Sequence, residues 1–175
     1  MPSLSLNRRA TAVVLALLAV LLYAAQPSHA AAPLDLANLS GAKAEEMLQS
    51  GTLTSVALTK AYIDRINALN KSGPALNAVT QLNSQALQEA ADSDALRAKG
   101  TDLGPAMGLP ILLKDIIDAK GEYTSAGNWS LRDSFPAVDS GVVANLRAHG
   151  VVISARSASP SSPTTSAARP PASAT

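Results

Sequence analysis

The 175-residue sequence has no cysteine. That excludes thiol nucleophiles, thiolate metal ligands and disulfide stapling, so stability must come from packing. Histidine is nearly missing as well: the two present are His29 and His149. His149 sits near the expected end of a helix, where a cationic side chain suits the dipole. A Ser-His-Asp triad or a histidine-rich metal site is thereby excluded. There is no basic patch. The formal net charge is +1, and four of the fourteen Lys/Arg residues, Arg8, Arg9, Arg156 and Arg169, lie in two end segments that carry no acids. The middle of the chain is acidic, which argues against nucleic acid or another polyanion as partner.

No apolar run is long enough for a stable membrane span. The most apolar one, Ala10 to Ala25, has sixteen uncharged residues; at about 1.5 Å of rise each they reach about 24 Å, short of a hydrocarbon core near 30 Å. Arg8 and Arg9 precede it and Ser28-His29-Ala30 follows, with small residues suited to signal peptidase. Residues 1–30 therefore read as a removable export signal, making the protein periplasmic or secreted. The Arg8-Arg9 pair also raises twin-arginine export, although Ala10 and Thr11 match that signal poorly. At the other end, residues 154–175 contain only Ser, Ala, Arg, Pro and Thr. With no large apolar side chain to bury, this segment is expected to be disordered.

Between these ends the pattern alternates helix and strand. Ser40 caps a short helix that Gly51 stops, and Ser55 opens a second with Leu58, Tyr62, Ile66 and Leu69 on one face. Asn77 to Leu82 alternates as a strand, and Ser84 caps a helix carrying Leu87, Ala91 and Leu96 before Gly100 ends it. Gly104 to Gly108 forms a turn into Pro110-Ile111-Leu112-Leu113, a strand whose leading proline costs little at that position. Asp115 to Asp139 is loop-like. Asp139 or Ser140 caps a helix from Val142 to His149, and Val151-Val152-Ile153 reads as a buried strand. Strand, helix and strand in this order resemble a parallel crossover unit, modest support for an α/β fold, and such a unit needs further neighbours to cover its sheet.

Lys114, at the end of the apolar strand, is the candidate catalytic residue. A lysine serves as a general base only where desolvation or cationic neighbours leave enough of it neutral near pH 7. The plain alternative is a hydrated strand-end lysine paired with Asp115 or Asp118. Ser125 and Ser130 follow downstream, but ordinary turn chemistry accounts for both. Ser157, Ser159, Ser161 and Ser162 fall in the expected disordered tail, where nothing fixes an attack geometry.

Three segments carry a family resemblance: Gly108-Leu-Pro-Ile-Leu-Leu-Lys-Asp115, Thr124-Ser-Ala-Gly127, and Asp139 to Ile153. Together with Ser50 to Ile66 they resemble the N-terminal part of the amidase signature family, over about residues 33–153. The resemblance implies helices packed on an incomplete mixed sheet, no metal or organic cofactor, and amide hydrolysis by a Ser–cis-Ser–Lys triad. Only the lysine of that triad maps onto this chain, at Lys114. Neither serine nor its glycine-rich loop is recognisable, so the expected protein is a truncated relative, inactive alone, whose intact counterpart hydrolyses carboxamides such as peptide C-terminal amides. After Ile153 such a protein would continue with a Leu-Gly-Lys-like segment. Codons compatible with Ser154 onward, preceded by one added cytosine, read Leu-Gly-Lys-Ile-Ser-Leu-Ser-Glu, so the tail is expected to be out of frame. Two rivals stay open: a small exported partner-binding protein that self-associates or completes its sheet through exposed edges, and a complete small hydrolase pairing Lys114 with an unrecognised serine.

Overall fold

The crossover expected around Lys114 forms as the spine of a three-stranded mixed sheet. In the computed structural model, which describes residues 34–158, β1 is Val79–Leu82, β2 is Pro110–Lys114 and β3 is Val152–Ser157. Their order is β1-β3-β2, with β3 parallel to β2 and antiparallel to β1. The helices are α1 (Gly41–Gln49), α2 (Ser55–Leu69), α3 (Ala86–Ala98) and α4 (Gly141–Ala148), and a 3₁₀ turn spans Trp129–Leu131. The export signal expected over residues 1–30 and the tail from residue 159 lie outside the described residues. None of the described helices is long and apolar enough to cross a membrane.

The central strand is buried on both faces, as a parallel strand covered by helices must be. Ile153 points into a cluster with Leu113, Ala119 and Val143, backed by Ile111 and Leu146. Its neighbour Val152 points the other way, against Ala86 and Ala90 of α3 and Val56 and Ile63 of α2. The pleat thus sends consecutive side chains to opposite layers, α4 on one side and α2 with α3 on the other.

Local chemistry sets the helix starts. Ser40 caps α1, accepting from the Lys43 amide at 3.2 Å, and Ser140 caps α4, accepting from the Val143 amide at 3.5 Å. Ser55 opens α2 as expected, and Thr54 before it is the cap, accepting from the Ala57 amide at 3.1 Å. The Ser55 and Val56 amides are taken instead by the Asp94 carboxylate, at 2.8 and 3.0 Å. Ser84 does not cap α3; the residue before that helix is Gln85, and Asn83 accepts the Gln85 amide at 2.8 Å. The buried face of α3 is Ala86, Ala90 and Ser93, whereas Leu87 is exposed. Small residues let α3 approach the sheet and α2 closely, and this overrides the larger stripe read from the sequence.

The largest departure is β3 itself. Composition placed the end of order at Ile153, but the strand continues to Ser157, and Ser154, Ala155 and Arg156 are fully buried. Small side chains suit a central strand pressed between helices, and the Ser154 hydroxyl donates to the Ile111 carbonyl at 2.8 Å. Arg156 becomes tolerable there because its guanidinium reaches the carbonyls of Ile117 and Lys114, at 2.7 and 3.3 Å.

Candidate functional site

The turn Gly104 to Gly108 delivers β2, and Gly108 is where glycine is required. Its φ is +80°, and a Cβ there would stand 3.0 Å from the Ser55 hydroxyl oxygen and 3.2 Å from an Arg97 nitrogen. Ser55 donates to the Gly108 carbonyl at 2.5 Å and Arg97 to the Met107 carbonyl at 2.7 Å. The start of β2 is therefore fastened to α2 and α3. This fixes where its far end, Lys114, emerges.

Lys114 is half-buried at the carboxyl end of β2, opposite Ser157 of the parallel neighbour. The crevice outside the carboxyl ends of parallel strands is where open α/β sheets place their ligand sites. Among the described residues, the Lys114 ammonium makes no ion pair. Asp115, the partner expected in the plain alternative, is turned inward and fully buried. It receives the Ser125 hydroxyl, the Ser125 amide at 3.0 Å and the Gly127 amide at 3.3 Å. The Ala126 amide donates to the Asp115 carbonyl at 2.8 Å, and Ala126 takes a left-handed φ of 51°. A non-glycine residue held in that region marks a turn over-determined by its surroundings.

Beneath this turn lies a cation that the sequence pattern did not single out. Arg156 is fully buried with its Nε 3.8 Å from an Asp115 carboxylate oxygen, and it also donates to the Thr124 hydroxyl at 3.4 Å. One strand residue thus joins the end of β2, the Asp115 carboxylate and the Thr124-Ser125 segment. The available signal was weak: small residues at 154 and 155 permit the strand to continue, and an arginine beyond them faces the layer that holds Asp115.

The remaining candidates scatter. Ser125 is brought to Asp115, in the turn chemistry expected of it. Ser130 is exposed in the 3₁₀ turn, its amide donating to the Asn128 side chain at 2.9 Å. Ser157 joins the sheet instead of a tail, 3.5 Å from the Leu113 carbonyl; Ser159, Ser161 and Ser162 lie outside the described residues. His149 ends α4, with its Nδ1 2.9 Å from the Asn145 carbonyl oxygen. No group of three or more acidic or histidine side chains among the described residues could hold a metal ion. What is assembled is a lysine at a strand end, beside a rigid acidic turn.

Comparison with known proteins gives a consistent picture. The Amidase family profile matches residues 57–174. The A subunit of the glutamyl-tRNA(Gln) amidotransferase from Salinispora tropica is 37% identical over 120 residues, which is 68% of this chain and 24% of that protein. The indoleacetamide hydrolase of Bradyrhizobium diazoefficiens is 36% identical over 61% of this chain and 20% of its own length. Among solved structures, the native peptide amidase from Stenotrophomonas maltophilia superposes with a TM-score of 0.68 at 41% identity, covering 70% of this chain and 25% of that one. The chain spans about a quarter of the length of the curated relatives it matches.

Proposed function

Because this chain belongs to the amidase family, we propose that it supplies the lysine-bearing N-terminal part of an amide-hydrolysing site and turns over no amide alone. The observation that carries this is the placement of Lys114 at the carboxyl end of β2, with the Asp115 carboxylate turned away and tied to Ser125. In that role the amine, when neutral, draws a proton through a bridging hydroxyl from a nucleophilic serine. The serine oxygen attacks the amide carbon, the C–N bond breaks and ammonia leaves with the transferred proton, and water then hydrolyses the acyl ester to the acid, returning the proton to the serine. Backbone donors must hold the tetrahedral oxyanion, and losing one such donor costs about 100- to 1,000-fold in rate. Asp115, tied by Ser125, Gly127 and Arg156, sets the direction in which the chain leaves Lys114; it positions and does not react.

The intact substrate class is a carboxamide, with a peptide C-terminal amide favoured by the likeness to peptide amidase. The test is a chimera in which residues 57–158 of this chain replace the matching segment of the Stenotrophomonas peptide amidase. Hydrolysis of a peptide amide is expected, and Lys114→Met should lower kcat by about 10²- to 10⁴-fold, the usual range for a general base. An active chimera indifferent to that change would refute the assignment. Robust cleavage by the purified chain alone, lost in Lys114→Ala, would instead support a complete small hydrolase.

Export and frame belong to the same reading. Arg8-Arg9, the apolar run and Ser28-His29-Ala30 support delivery outside the cytoplasm; the processed protein should begin near Ala31, and recovery of unprocessed cytoplasmic protein would contradict this. A single-nucleotide frame shift after Ile153 rests on the Ser, Ala, Arg, Pro and Thr composition there; against it stand the strand that runs to Ser157 and a family match that reaches residue 174. The nucleotides across codons 150–175 decide it: the shift fails if no small insertion or deletion yields an amidase-like frame.

A further inference from the structure

Where β2 ends, the chain makes a tight turn whose carbonyls are held from below. The Ile117 amide donates to the Lys114 carbonyl at 3.0 Å and closes the turn. One guanidinium nitrogen of Arg156, Nη2, is shared between the carbonyls at its two ends, 2.7 Å from that of Ile117 and 3.3 Å from that of Lys114, and the Thr124 hydroxyl at 3.4 Å. The Asp115 amide donates to the Ser157 carbonyl, next to Arg156 on β3, at 3.1 Å. Both polar groups of the peptide unit that leaves Lys114 are therefore bound. Arg156 is fully buried, so water does not compete for its bonds.

The rest of this side chain does little for stability. Its Nε and Nη1 make no hydrogen bond, and Nε stands 3.8 Å from the Asp115 carboxylate. Glu122, whose buried carboxylate oxygens also lack partners, feels the Arg156 charge more than any other. A cation buried with donors unpaired costs free energy that an apolar side chain of similar volume would not. What Arg156 does at that cost is to fasten the turn beneath Lys114.

We propose that Arg156 is a positioning residue for Lys114: it clamps the turn at the carboxyl end of β2 so that the amine meets its hydroxyl partner in one geometry. Arg156 touches no reacting atom and acts through the Lys114 backbone. Its role rests on the reading of Lys114 as general base and adds a second residue to it. Misplacing a catalytic group by about 1 Å costs about 100-fold in rate, which is the scale on which a slack turn is felt. The cation does not depend on the reading frame, because the frame with one added cytosine puts a lysine in the same place.

The test has two arms. In the full chain, acetylation of Lys114 by acetic anhydride is followed by mass spectrometry, with the exposed Lys60 of α2 as internal reference. Arg156→Met should speed labelling of Lys114 at least about fivefold relative to Lys60, the mark of a local opening, and Arg156→Lys should restore the slower rate. If Arg156→Met loses its helical circular dichroism, Arg156→Met combined with Glu122→Gln, which removes both unmatched charges, carries the same comparison. In the active chimera, Arg156→Met should lower kcat about 100-fold with KM nearly unchanged, Arg156→Lys should recover most of it, and neither should matter once Lys114 is methionine. An unaltered labelling rate, a change confined to KM, or a kcat loss that persists in full beside Lys114→Met would each overturn the proposal. A chimera indifferent to Lys114→Met removes the base assignment instead, and the labelling arm then still decides whether Arg156 holds the turn.

Discussion

Glu122 is 3% exposed, and neither of its carboxylate oxygens has a hydrogen-bond partner. Burial pushes its proton affinity up; the Arg156 and Arg147 charges offset this only in part, while Glu89 and Asp139 add to it. A carboxyl with a raised folded-state pKa is relatively stabilising when protonated, and that contribution is lost as pH rises through the folded value. Glu122→Gln should therefore raise the thermal midpoint at pH 7, with the advantage shrinking as pH falls toward the ordinary value of 4.5. Melting curves of both proteins from pH 4.5 to 8 check it, and an advantage that does not vary with pH would contradict it. Nothing in the sequence marked Glu122, because its surroundings come from α3, α4 and β3. Lys114 was legible since its position follows from an apolar run that ends at a charge; the inward turn of Asp115 was not, since it depends on Ser125 and Gly127 ten and twelve residues later.

At the scale of elements, α3 ties the crossover together through Glu89. One of its oxygens accepts the Ile153 amide at 2.9 Å, and the other accepts from Arg147 of α4 and from the Asn83 side chain, both at 3.3 Å. Arg147 is also held by both oxygens of Asp139, at 2.8 Å each. Glu89→Ala would leave a buried strand amide and part of a guanidinium unpaired, a loss of about 3 kcal/mol. Urea denaturation should show a lower midpoint with an unchanged slope, and a change under about 0.5 kcal/mol would refute the role. Elements with strong local signals were readable in advance: α1, α2, α4 and β2 follow from caps, apolar spacing and glycine stops. The length of β3 was not, because Ser154 to Ser157 are ordered by what packs on them and not by their own hydrophobicity. The face of α3 was misread for a related reason, since close helix packing selected Ala86 and Ala90 over Leu87.

At the scale of the molecule, an open edge among the described strands was the most legible feature, because a parallel crossover with few strands exposes its outer strands. Which edge could not be read, since the answer lies in Asn70, at the end of α2, reaching across to Val79. That carboxamide also bears on how the protein would misassemble. Endless stacking of sheets demands two receptive flanks on every unit, one to join the growing file and one to receive the next arrival. Here the Asn70 carboxamide and the Tyr123 hydroxyl occupy part of one flank. A strand arriving at that flank would first have to displace those side chains, so edge-to-edge mispairing should be disfavoured on the β1 side.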